Sequence, residues 1–116
     1  MKSITLSPTT TLESKEGCIA SAMKIIGNKW TALLLRDLYA GPKRFGELER
    51  SLIGISPRTL SQRLDDLERC GIIAKKTYHE APPHTEYTLT EKGNDLVPVL
   101  QQMAAWGIKY YDRSLV

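Results

Sequence analysis

Four polar residues in one short span, Arg58, Thr59, Ser61 and Gln62, carry side chains able to recognise a nucleobase. Arginine offers a forked donor that matches the two acceptors of guanine, glutamine pairs with adenine, and small hydroxyls serve either base. Ser56 stands just before them and is a good helix N-cap, and the free N–H groups of a helix N-terminus favour a phosphate oxygen. Further candidate phosphate contacts are Lys43 and Arg44 upstream, Arg63 to one side, and Lys75, Lys76, His79 and His84 downstream. Such groups hold a polyanion and make no bonds. The chain has no Gly-rich phosphate loop, no Gly-x-Ser-x-Gly and no paired metal-ligand motif. No catalytic residue, metal site or cofactor is therefore expected, and the protein is not expected to be an enzyme.

The elements that must position these groups are legible from periodicity and punctuation. Leu60, Leu64 and Leu67 fall on one side of a helix opened by Ser56-Pro57 and closed by Gly71. At about 100° per residue, Arg58, Gln62, Asp65 and Arg69 then point the opposite way, with Thr59 and Ser61 beside them. Upstream, Ile19, Met23 and Ile26 mark one helix. Asn28 caps a second, which carries Trp30, Leu33, Leu34, Leu35 and Leu38, and Phe45, Leu48 and Leu52 mark a short third. Downstream, residues 72–79 read as a strand, Glu80 to His84 as a proline-bearing loop, and residues 85–89 as the returning strand. Thr90 then caps a last helix reaching about Asp112, with a kink expected at Pro98. The expected fold is mainly α with a small β-hairpin wing (α+β), a winged helix-turn-helix.

Bulk properties permit this reading and add little to it. A chain of 116 residues is one domain by length, and its net charge is +3. Over Lys43 to Thr88, eight Lys or Arg face seven Asp or Glu, so the cations are local clusters and not a continuous stripe. No apolar run of about 18 residues spans a membrane, and the N-terminus lacks a signal-peptide apolar stretch. The expected setting is the cytoplasm, without membrane contact. Two cysteines, Cys18 and Cys70, make no disulfide framework.

The ordered set Ile26-Gly27-Asn28-Lys29-Trp30-Thr31, Gly41-Pro42-Lys43-Arg44-Phe45-Gly46-Glu47-Leu48, Gly54-Ile55-Ser56-Pro57-Arg58-Thr59-Leu60-Ser61-Gln62-Arg63-Leu64, Leu67-Glu68 and Gly71-Ile72-Ile73, followed by Pro82-Pro83, Glu86-Tyr87-Thr88-Leu89-Thr90, Gly93 and Trp106-Gly107, resembles the HxlR-type winged helix-turn-helix regulators. The resemblance covers about Gly17 to Gly107. It implies a sequence-specific regulator of transcription, repression being the commoner mode, that binds double-stranded DNA as a homodimer on an inverted repeat. The reading helices of such a dimer lie about 34 Å apart. It also implies residues 1–16 as a tail, 17–112 as the domain with its C-terminal dimerisation helix, and 113–116 as a second tail. Asn28 departs from a frequent glycine, and Cys70 stands where a polar or acidic residue is common.

The resemblance places dimerisation on the N- and C-terminal helices. The residues agree: Leu96, Leu100, Met103 and Gly107 form one face of the last helix, and Val99, Trp106 and Tyr110 form a second that needs another cover. The expected dimer residues are Ile19, Met23, Val99, Met103, Trp106 and Tyr110. In several similar regulators a cysteine at the position of Cys18 senses quinones, aldehydes or oxidants, which makes Cys18 the candidate redox sensor. A thiolate is the reactive form, and a helix N-terminus favours it. Two alternatives stand beside this: a winged-helix protein-interaction module without DNA binding, and a regulator gated by a small-molecule ligand.

Overall fold

A computed structural model describes residues 16–111, and the expected tails, residues 1–16 and 113–116, lie outside the described residues apart from Glu16. Helix α1 spans Glu16–Ile26, so it begins one residue inside the expected tail. Helix α2 spans Lys29–Tyr39, and its Asn28 cap accepts a hydrogen bond from the Trp30 N–H at 2.8 Å. Strand β1 is the two residues Lys43–Arg44, and α3 follows at once over Phe45–Ser51. Helix α4 spans Pro57–Arg69, strands β2 and β3 are Ile73–Tyr78 and His84–Leu89, and α5 spans Glu91–Lys109. Helix α5 continues through Pro98.

The sheet corrects the expected two-stranded hairpin. It has three antiparallel strands in the order β1-β3-β2, with Lys43 opposite Tyr87 and Arg44 opposite Glu86. Lys43 and Arg44 therefore belong to a strand and not to a free lead-in to α3. Glu47 secures the start of α3 by accepting from the Arg44 N–H at 2.8 Å.

The core is a single cluster. Leu34, Leu35 and Leu38 of α2, Leu48 of α3 and Leu60, Leu64 and Leu67 of α4 meet Leu52, Ile55, Ile72 and Ile73. Trp30, Leu33, Phe45, Tyr87, Leu96 and Leu100 pack against its margin. The positions from α2, α3 and α4 are those that helical spacing marked.

Two backbone features join α4 to the wing and the wing to α5. At the end of α4, the Gly71 N–H donates to the Glu68 carbonyl at 3.0 Å and the Ile72 N–H to the Leu67 carbonyl at 2.9 Å. This Schellman closure needs the left-handed backbone of Gly71, whose φ is +76°. The chain is thereby turned from α4 straight into β2, with Ile72 buried beside Leu67. At the start of α5, Thr90 accepts from the Gly93 N–H at 3.1 Å, while its own N–H donates to the Ile72 carbonyl at 3.0 Å.

Gly93 lies so close to β2 that a Cβ there would stand 2.2 Å from the Ile72 carbonyl oxygen. The obstacle is backbone and cannot swing aside. Gly93→Ala is therefore expected to destabilise the fold by about 1–3 kcal/mol, measured as a lower urea midpoint with an unchanged slope. An unchanged midpoint would contradict the close approach.

Candidate nucleic-acid interface

The outer face of α4 is built by its caps and its seam. The Ser56 hydroxyl accepts from the Thr59 N–H at 3.0 Å and donates to Thr59 Oγ1 at 2.9 Å. With Pro57 at the first helical position, this leaves the first turn well formed and open to solvent. Leu60, Leu64 and Leu67 are buried, so the helix cannot rotate without exposing them. Arg58, Ser61 and Gln62 are exposed, as spacing required. Thr59 is half-buried, and its hydroxyl is already engaged in the cap.

Charge on α4 is divided between its two ends. Asp66 accepts from Gln62 Nε2 at 3.0 Å and also from the guanidinium groups of Arg63 and Arg69. This hub draws three side chains toward the C-terminal half. Arg63 is thereby taken away from the outer face: it lines a hollow with Lys24, Ile25, Thr31 and Leu67, on the flank that meets α1 and α2. Sequence spacing put Arg63 to one side of the helix but did not show which neighbour held it. Arg58 has no side-chain hydrogen bond or ion pair among the described residues. It is the least encumbered cation at the N-terminal end of α4.

The strand register sorts the wing residues onto two faces. Lys43, Tyr87 and Lys75 form one cross-strand row, and Arg44, Glu86 and Lys76 form the next. Successive strand residues point to opposite sides, so Lys75 and Lys76 do not act as a pair. Lys75 Nζ lies 3.9 Å from Glu68 of α4, while Lys76 Nζ lies 4.9 Å from the Tyr78 ring centroid. His79 is exposed in the hairpin tip. His84 is engaged on both ring nitrogens and stacked on Tyr78, so it is not a free phosphate ligand.

The other candidate residues lie on α1, on α5 and at the C-terminal end of α4. Cys18 is exposed in the first turn of α1, and Cys70 is exposed at the end of α4. Ile19 and Met23 of α1 and Val99, Met103, Trp106 and Tyr110 of α5 are all exposed, Trp106 at 68% of its full area. Met103 thus joins the outward set, while Leu96 and Leu100 from its expected face pack on the core. Sequence reasoning missed Ile108 and Tyr111, exposed apolar residues that line a hollow with Ala104 and Gly107. The spacing of Ile108 from Ala104 was an available signal, while Tyr111 lies beyond the end of α5.

The HxlR-like helix-turn-helix family model matches residues 25–115. Among curated proteins, the HTH-type transcriptional regulator YdeP of Bacillus subtilis is 44% identical over 99 residues, spanning 84% of this chain and 77% of YdeP. Among solved structures, the oxidised form of the redox regulator HypR superposes with a TM-score of 0.75 at 38% identity, covering 81% of this chain and 97% of that one. The reduced form of the transcriptional regulator YodB of Bacillus subtilis gives 0.75 at 37% identity, covering 81% and 92%.

One titration marks how the wing base packs. Burial pushes the Tyr87 phenol above its ordinary value of 10.0; Lys75 pulls it down, and Asp65 and Glu68 push it up. The unfolded chain thus releases this proton at lower pH than the folded one. Stability contributed by the neutral phenol is complete below pH 10.0 and falls as pH rises through the higher folded value. Tyr87→Phe should lose less stability than the parent between about pH 9 and 11, read from urea midpoints. Parallel losses in the two proteins would show that Tyr87 ionises as an unburied phenol.

Proposed function

The chain belongs to the HxlR-like helix-turn-helix family of transcription regulators, and from that premise we propose that it binds double-stranded DNA as a homodimer and represses transcription at an inverted-repeat operator. The observation that carries this reading is the outer face of α4. A helix pinned by three buried leucines presents Arg58 and Ser61 at its capped N-terminal end, where a recognition helix contacts base edges, with Gln62 exposed beside them and its amide N–H held by Asp66. Thr59 supports the first turn. Lys76, Arg44 and His79 are exposed cations or polar groups of the sheet and its tip, suited to the phosphate backbone. A second copy would cover the apolar surface of α1 and α5.

A thiol-dependent response fits the same arrangement. Cys18 is exposed on α1, among the residues assigned to the dimer surface, and HypR and YodB are similar chains solved in defined redox forms. In this reading, oxidation or alkylation of Cys18 alters the spacing of the two reading helices. Ligand gating is the second reading, favoured by an apolar groove of about 280 Å³ between α2 and α5 lined by Leu33, Leu35, Val97 and Leu100. It requires release of DNA by a small apolar compound even without a thiol at position 18.

Selection of bound duplexes from a random pool should return an inverted repeat. On that duplex, Arg58→Ala is expected to cost about 1–3 kcal/mol and relax one base position. Lys76→Ala should weaken all sequences alike and flatten the salt slope. No retained duplex at roughly 50 mM salt would point to a protein-interaction module. Diamide should release the duplex from the parent and not from Cys18→Ser; equal release from both would remove Cys18 as the sensor.

A further inference from the structure

His84 opens β3 at the hairpin tip, and its ring is held on three sides. Nδ1 lies 3.1 Å from the Pro82 carbonyl oxygen, and Nε2 lies 3.2 Å from Glu86 Oε2. The ring stacks on Tyr78 of β2, with centroids 4.7 Å apart and planes inclined by 17°. A carbonyl oxygen only accepts hydrogen bonds, and an ionised carboxylate only accepts. Both nitrogens must therefore carry a proton for both bonds to exist. A neutral imidazole has one N–H and would turn a lone pair toward the carboxylate or the carbonyl.

Groups of both charge signs surround the ring. By register, Glu86 lies between Arg44 of β1 and Lys76 of β2, both permanent cations. Yet among the described residues the side chain that meets the Glu86 carboxylate is His84, an ion pair when the ring is protonated. Lys76 turns instead onto the Tyr78 ring, the same ring that His84 stacks on. His79 and Glu80 are the remaining titratable groups of the tip, and both are exposed. Helices α2, α3 and α5 pack against β3 but supply no hydrogen-bond or ion-pair partner to His84 among the described residues. The His84 and Glu86 side chains are 21% and 28% exposed, so solvent screens this pair less than a surface pair.

We propose that His84 is a proton-dependent positioning residue of the wing. As an imidazolium it ties the Pro82 turn to β3 and to β2. That closes the tip and fixes Tyr78 beneath Lys76. When it loses a proton, one of the two bonds is lost and the tip loosens. The consequence for DNA rests on the proposed function: a closed wing with Lys76 in place should bind duplex more tightly at lower pH. The proton requirement itself does not depend on DNA.

The test uses the full chain with nitrogen-15 histidine, studied at about pH 5.5 and about pH 8, either side of the ordinary histidine value of about 6.5. At the lower pH both ring nitrogens of His84 should give N–H-type shifts. After correction for intrinsic exchange, amide protection over Glu80 to Thr85 should be at least about fivefold greater than at the higher pH. His84→Gln should abolish that difference, and His79→Gln should keep it. A singly protonated His84 at about pH 5.5, equal protection at both values, or a pH response surviving in His84→Gln would each overturn the proposal. Duplex affinity in matched salt should likewise fall with rising pH in His79→Gln and stay flat when His79→Gln and His84→Gln are combined. If no duplex binds at either pH, the DNA reading fails while the ring and amide results still decide the proton-dependent tip.

Discussion

The rotation of α4 about its own axis is set by one apolar seam, and the rest of the surface chemistry depends on that angle. Leu60, Leu64 and Leu67 are each almost wholly buried against α2, α3 and Ile72. Burying three such side chains is worth roughly 5–9 kcal/mol, of the order of a whole domain's net stability. The exposed ion pairs that Asp66 gathers on the same helix are worth about 0–1 kcal/mol each. The seam therefore decides the rotation, and the polar groups take what it leaves. A turn of one residue, about 100°, would bring Arg58 and Gln62 toward the core.

Because the charges are secondary in energy, their placement can be specialised. Asp66 collects Gln62, Arg63 and Arg69 at the C-terminal half, and Glu68 reaches Lys75 from the same half. The acidic residues are thereby spent on cations distant from the capped end. Arg58 stays unpaired among the described residues. The near-zero balance of charge across the middle of the chain is thus compatible with a local positive end on α4. Placed groups, and not a long-range field, carry the discrimination that the fold can offer.

What was legible in the sequence was local. Caps at Asn28, Ser56 and Thr90, the closure at Gly71 and the leucine periods depend on neighbours within a few residues, and each appears in the structure where expected. Strand β1 was not legible, because two residues show no alternation and its partner Tyr87 lies far along the chain. The engagement of Arg63 was hidden for a related reason: spacing gives a direction on the helix, while the hollow it enters is made by α1 and α2. His84 was read as the last residue of the proline loop, whereas it opens β3, two residues from Glu86 and on the same face. The stack on Tyr78 needed the hairpin register, which the long proline loop leaves open.

The route from the terminal helices to the reading end follows from the same contacts. Helix α1 reaches α4 through Lys24 and Ile25, which share a hollow with Arg63, Asp66 and Leu67, in the C-terminal half of α4. Helix α5 reaches it through Gly93, pressed on the Ile72 carbonyl just beyond the Gly71 closure. Neither route touches Ser56, Arg58 or Ser61. A displacement of α1 or α5 is therefore delivered to the end of α4 remote from Ser56, Arg58 and Ser61. A helix held along a close-packed seam moves as a body more readily than it bends. On the proposed reading, then, a signal at Cys18 leaves each half-site reader chemically intact. It acts by changing the position of one reading helix relative to the other, to which an operator of fixed half-site spacing is sensitive.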